Sequence, residues 1–224
     1  MELKFGWKYA LAFLALNGVV SELHEQAHIT TGRLLVGCYG PRDFNVWQPC
    51  AAHPNPVPWA ASVAGPLFSY AVMWLGVWLL LRGAQATRRA LGLALIFAPL
   101  PFARVFTALA GGGDEKTFLT LWLESPGLAR VLAIVLTLVA CGLPVYYAWR
   151  ALSNRHRGWI VAGLCVLPML AVYAYKFKIL NTLLLQGLWA DPPVLGTPPI
   201  VLAVFALMVL ATAATWRWLL PART

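Results

Sequence analysis

Along this chain apolar residues come in long unbroken blocks, separated by short polar stretches, and they do not alternate with polar ones. Crossing the hydrocarbon core of a bilayer takes about 20 apolar residues in a helix. Six blocks approach or reach that length: Phe5 to about Ile29, Val57–Leu81, Ala90–Ala110, Leu128–Trp149, Trp159–Phe177 and Pro199–Leu220. The lack of period-two alternation excludes a lipid-facing barrel. The pattern predicts an all-α polytopic membrane protein of about six transmembrane helices, a single domain over residues 1–224 with short loops. Pro99 and Pro101 predict a kink or break in the third span. Ile179–Trp189 is too short to span, and reads as an interfacial or re-entrant piece.

Composition agrees with this. Of 224 residues 60% are hydrophobic and only 11% charged, against about 25% charged in a soluble domain. The formal charge of +9 comes from bases scattered between apolar blocks, so nucleic-acid binding is set aside and the charges read as topology signals. Six spans put both termini on one side. That side carries Lys4, Lys8, Arg82, Arg88, Arg89, Arg150, Arg155, Arg157, Arg217 and Arg223; the other carries Arg33, Arg42, Lys116, Lys176 and Lys178. Ten against five favours termini in the cytoplasm. The first span has no small-residue cleavage site after it, so it reads as a retained helix rather than a signal peptide.

Near the end of that first span the chain reads Ser21-Glu-Leu-His24-Glu25-Gln-Ala-His28, an HExxH pattern. At 100° per residue His24 and His28 lie about 40° apart on one helical face, one turn above the other. Two imidazoles so placed suit a zinc ion, and Glu25 sits around the helix where it takes a proton from the metal's water without being a ligand. Zinc brings that water's pKa to about 7. Ionisable side chains inside an apolar span are costly without partners and are functional candidates by default. A catalytic zinc has three protein ligands and one open position. The candidates for the third are Asp114 first, in the run Leu109-Ala-Gly-Gly-Gly-Asp-Glu-Lys116, then Glu115 and His53, with Glu22 behind them because it points about 160° away from His24. Six spans bring Asp114 to the same membrane side as the end of the first span. Its glycines permit a sharp turn and a close approach.

These residues resemble the site-2 protease family of intramembrane zinc metallopeptidases. His24-Glu-Gln-Ala-His-Ile-Thr-Thr-Gly-Arg33 is similar to a small bacterial branch in which a Thr-Gly element follows HExxH, and Ala64-Gly65-Pro66-Leu67 to the family's Ala-Gly-Pro segment beside the active site. The resemblance covers about the first third of the chain. It implies zinc held by His24 and His28 with Glu25 as general base, cleavage of a peptide bond in or near the membrane, a membrane protein or peptide as substrate, and location in a bacterial plasma (inner) membrane. Two features depart from the family. No Leu-Asp-Gly tripeptide, the usual setting of the third ligand, occurs here. Phe68, Ser69 and Tyr70 follow Ala-Gly-Pro where an Asn is frequent. The family's metal usually sits nearer the cytoplasm, whereas the basic-residue count puts this one near the opposite face.

Arg104, inside the kinked span, reads either as a stabiliser of the oxyanion of peptide hydrolysis or as half of a structural ion pair with Glu22, the second being preferred. Cys38 and Cys50 are spaced for a disulfide if their side is oxidising, with two free thiols in an ordinary loop as the equal alternative, while Cys141 and Cys165 read as apolar fillers. Asp43-Phe-Asn-Val-Trp47 alternates, suggesting a short strand that covers the metal cleft or pairs with an extended substrate. Asn181 and Gln186 are further candidates for a substrate backbone. Two other function classes stay open: a metal-binding transporter or sensor without hydrolysis, and a zinc-dependent lipid amidase.

Overall fold

The computed structural model describes residues 1–48, 50 and 59–221. It is all-helical there, with no strand among the described residues. The elements are α1 (Trp7–Val36), α2 (Trp59–Arg82), α3 (Ala86–Phe97), α4 (Pro101–Leu109), α5 (Asp114–Leu123), α6 (Pro126–Ala151), α7 (Arg157–Val172), a π-helical stretch (Tyr173–Leu180), α8 (Asn181–Leu185), α9 (Pro199–Thr215) and a closing 3₁₀ turn (Trp216–Leu219). Five helical stretches are long and apolar enough to cross a membrane: Trp59–Arg82, Ala86–Leu109, Pro126–Ala151, Arg157–Leu185 and Pro199–Leu219. The sixth expected span, α1, is a 30-residue helix whose second half carries Glu22, His24, Glu25, Gln26 and His28, which lower its mean hydropathy.

The third span breaks where its prolines predict. α3 stops at Phe97 and α4 starts at Pro101, with Leu100 in the left-handed region at φ 56°. A proline lacks the N–H that would continue the ladder, and at the break the carbonyl of Ala98, turned out of the helix, accepts a hydrogen bond of 2.6 Å from Asn17 Nδ2 on α1. Ile179–Trp189 departs from its expected form. Through Leu185 it continues the helix expected over 159–177, giving one helical stretch, Arg157–Leu185, that includes the π-helical segment rather than ending before a separate interfacial piece.

The buried core lies where α1, α2 and α3 meet, around Phe13, Leu16, Val77, Leu80, Leu93 and Phe97. Gly76 and Gly92 face each other across α2 and α3: a Cβ on Gly76 would lie 2.7 Å from the Gly92 carbonyl oxygen. Small residues at such a crossing let helix backbones come together without a water-driven core between them. By contrast, α6 leaves Leu128, Val131, Val135, Leu138 and Val139 exposed, as lipid-facing residues are.

Candidate metal centre

α1 presents His24 and His28 one turn apart, both buried, and the Gly-rich loop brings Asp114 to them as the first residue of α5. Gly111 and Gly113 have φ of +83° and +95°, a region that glycine enters without strain, so the turn from α4 into α5 depends on them. His24 Nε2 lies 3.2 Å from His28 Nε2. Asp114 Oδ2 lies 3.3 Å from His24 Nε2 and 3.5 Å from His28 Nε2. The three groups form a cluster of the kind that holds a metal ion. Of the candidates for a third ligand, Asp114 joins the histidines. Glu115 points away into an ion pair, Glu22 is occupied elsewhere, and His53 lies outside the described residues.

α2 supplies the wall behind the pair. Its Gly65 is buried against both imidazoles: a Cβ there would collide with His28 Nε2 and lie 2.6 Å from His24 Cε1. The Ala-Gly-Pro segment is thus explained by close approach. One turn on, Ser69 Oγ is 3.0 Å from His24 Nδ1, and the Ala61 carbonyl oxygen is 2.7 Å from His28 Nδ1. With Nδ1–H of His28 donating to that carbonyl, its Nε2 is left bare toward Asp114. Two arrangements fit His24. Its Nδ1–H donates to Ser69, leaving Nε2 bare, or its bare Nδ1 accepts from Arg104 Nη2 at 2.8 Å. Burial favours the neutral acid at Asp114, but the adjoining imidazoles and the charge of Arg104 outweigh it and hold the carboxyl well below the usual carboxylate range.

Arg104 is in an ion pair, but its partner is Glu115 and not Glu22: Nη1 donates to Glu115 Oε1 at 2.8 Å, and Tyr70 Oη donates to the same oxygen at 2.5 Å. Glu22 instead meets Arg42 in a two-pronged buried pair of 2.7 and 3.0 Å. The reason is reach. Glu22 points away from the metal face of α1, toward the loop, whereas Glu115 follows Asp114 directly and faces the broken third span.

The segment Asp43–Trp47 is a tight turn and not a strand. Asp43 Oδ1 accepts both Asn45 N and Val46 N at 2.7 Å, which curls the chain, and a single bridge joins Arg42 to Trp47. Cys38 and Cys50 are joined by a disulfide. The turn is held down by the Arg42–Glu22 pair, by Phe44, which is buried against Ile200 and Val201, and by Asn181, whose Oδ1 accepts Phe44 N and whose Nδ2 donates to Asn45 Oδ1 at 2.7 Å. Asn181 is therefore spent on the loop rather than free for a substrate. Exposed Gln186 caps α8 and touches none of these groups. Lys176, counted above as a loop charge, is buried: it donates to Ser21 Oγ at 2.8 Å and to the Phe44 carbonyl at 3.1 Å. A π-helical turn carries an extra residue, and this one sets Lys176 inward. No periodicity in the sequence signalled it.

Two cavities reach the cluster. One of about 250 Å³ is lined by Glu25, His28, Asn45, Trp47, Asp114 and Thr117, so the turn does cover the cleft. The other, of about 180 Å³, runs from His24 and Arg104 past Ser69 to Asn17 and the break at Leu100. Asn17 is fully buried, and its Oδ1 has no partner among the described residues. The Asp114 side chain remains 41% exposed, leaving the cluster reachable from one edge. No protein-family model, curated protein or solved structure matches the chain.

Proposed function

We propose that the chain is a membrane-embedded zinc metallopeptidase of the site-2 protease kind, with α1 as a sixth crossing and the metal held by His24, His28 and Asp114. The observation that carries the reading is the spacing of the three donor atoms, 3.2, 3.3 and 3.5 Å. Tetrahedral ligands at about 2.0–2.1 Å from zinc lie about 3.3–3.4 Å from one another, the bond length multiplied by about 1.63. Two imidazoles and a carboxylate are a donor set that zinc accepts while keeping one position open. The orienting bonds from Ser69 and the Ala61 carbonyl match the outer partners that ligating histidines need.

A zinc ion bound there supplies the Lewis acidity that makes water nucleophilic near neutral pH. Glu25, on the wall of the cavity that also holds His28 and Asp114, takes the proton of the attacking water and passes it to the departing amide nitrogen. Arg104 faces the cavity on the other side of His24, where its charge, anchored by Glu115, stabilises the oxyanion formed as water adds to the carbonyl. The turn at Asn45–Trp47 shields the reacting groups from bulk water. By the count of basic residues the termini face the cytoplasm of a plasma membrane and the cluster lies toward the opposite face. Burial of Lys176 removes one charge from that opposite side and leaves the bias in place.

The test compares the wild type with Glu25→Gln for zinc content and for new N-termini in membrane proteins, read by mass spectrometry of membranes that contain each. The expected result is one zinc per chain in both and N-termini that appear only with the wild type. Equal sets of N-termini exclude hydrolysis and favour transport or sensing. Zinc retained after His24→Ala with His28→Ala removes the centre altogether.

A further inference from the structure

The end of α1 away from His24 carries a second chemical feature. There the start of α1, the start of α3 and the closing 3₁₀ turn surround a cavity of about 580 Å³, whose wall includes Lys4, Lys8, Tyr9, Arg217, Trp218 and the carboxylate-bearing Glu2. Trp7 and Trp218 meet edge to face with ring centroids 5.8 Å apart, and Lys8 Nζ stands over both rings at 5.6 and 5.9 Å. Among the described residues neither Lys4, Lys8 nor Arg217 has a carboxylate within ion-pair distance. Tyr9 is 4% exposed, and its buried hydroxyl has no hydrogen-bond partner among the described residues.

The cavity wall carries more cations than its single carboxylate, Glu2, balances, a net positive charge that suits an anion. The rest of the wall is mostly apolar and aromatic, and two spans, Ala86–Leu109 and Pro199–Leu219, have an end here. Tryptophan with lysine at span ends marks the headgroup level of a bilayer. We propose that this cavity binds the phosphate headgroup of an anionic phospholipid, with Lys4, Lys8 and Arg217 around the phosphate and the glycerol and upper acyl carbons against Trp7 and Trp218. The apolar wall is what favours a lipid over free phosphate, which has no use for it. This inference does not depend on the metal centre.

Native mass spectrometry of the full chain in detergent, titrated separately with phosphatidylglycerol, phosphatidylcholine and inorganic phosphate, tests it. The wild type is expected to retain one phosphatidylglycerol in preference to phosphatidylcholine. Lys4→Gln, Lys8→Gln and Arg217→Gln should each weaken that retention about fivefold, and the three together about a hundredfold. A control with Arg150→Gln and Arg155→Gln, on the same membrane side but outside the cavity, should bind as the wild type. Arg217→Gln alone, at an exposed position of the closing turn, serves if the triple variant does not fold. Equal retention of the two lipids, an equal loss in the control, or no change in Arg217→Gln overturns the proposal. Inorganic phosphate bound as tightly as the lipid overturns it in favour of a free-phosphate site.

Discussion

Replacing Gly65 by alanine tests the proposed metal centre through a residue that carries no chemistry of its own. The added Cβ would lie 2.6 Å from His24 Cε1 and His28 Cδ2, and nearer still to His28 Nε2. Carbon contacts are comfortable from about 3.5 Å, so either the imidazoles or the α2 backbone must retreat by about 0.9 Å or more. The retreat is resisted on both sides, because His28 Nδ1 is tied to the Ala61 carbonyl and His24 Nδ1 to Ser69 on the same helix. Metal–ligand distances tolerate about 0.2 Å. A displacement several times that size removes a ligand, which exceeds the 10–100-fold loss typical of outer-shell changes. Zinc affinity, measured by competition with a chromogenic chelator in detergent, should therefore fall by more than about 100-fold. Overpacking should cost about 1–3 kcal/mol of stability in the same variant. Gly142→Ala in α6, where a Cβ meets nothing within 4 Å, should leave zinc affinity unchanged and should not lower stability. Wild-type zinc affinity in Gly65→Ala would refute the packing of α2 against the two histidines as the arrangement that binds metal.

Other outcomes follow from the same geometry. Asp114→Asn should weaken zinc binding by more than about tenfold, since a carboxamide is a poorer ligand than a carboxylate, and Ser69→Ala should weaken it about 10–100-fold by freeing the His24 ring; unchanged affinity in Asp114→Asn would move the third ligand elsewhere. Arg42→Ala leaves Glu22 as an unpaired buried charge and should cost about 3–5 kcal/mol, whereas the double change Arg42→Met with Glu22→Gln should cost much less; thermal unfolding in detergent distinguishes the two, and equal losses would mean that the pair is not buried in the protein as purified. A membrane-impermeant thiol reagent applied to intact cells should label Cys38 and Cys50 only after reduction. Labelling only after the membrane is breached would reverse the orientation.

Much of the site was legible because HExxH is local. Four residues of spacing on a helix place two side chains on one face whatever the tertiary fold does, so His24, His28 and Glu25 needed nothing more. Asp114 was reached by side-of-membrane logic, and the two glycines that turn the chain there lie at positive φ. The break at Pro99–Pro101 was equally local. The partners of Arg104 and Glu22 were not legible, because a charge in a span seeks the nearest opposite charge in space, and Glu115 and Arg42 are set by packing across helices. Ser69 stood in plain view after Ala-Gly-Pro, yet nothing in its sequence setting says that its hydroxyl faces an imidazole one helix away.

The sequence by itself determined the pattern of apolar helices long enough to cross a membrane, because this follows from composition and length along a single helix. It also determined the donor pair with its adjacent acid. Only the tertiary structure decided that Gly65 must be glycine, that Arg104 leans on Glu115, that Lys176 turns inward on a π-helical stretch, and that the alternating run 43–47 curls into a turn over the cleft. Each of those rests on contact between residues far apart in the chain, where distance and direction are fixed by how helices cross and not by what stands beside a residue in sequence. The charge that first served only to orient the protein gained, at Lys4, Lys8 and Arg217, a cavity to surround.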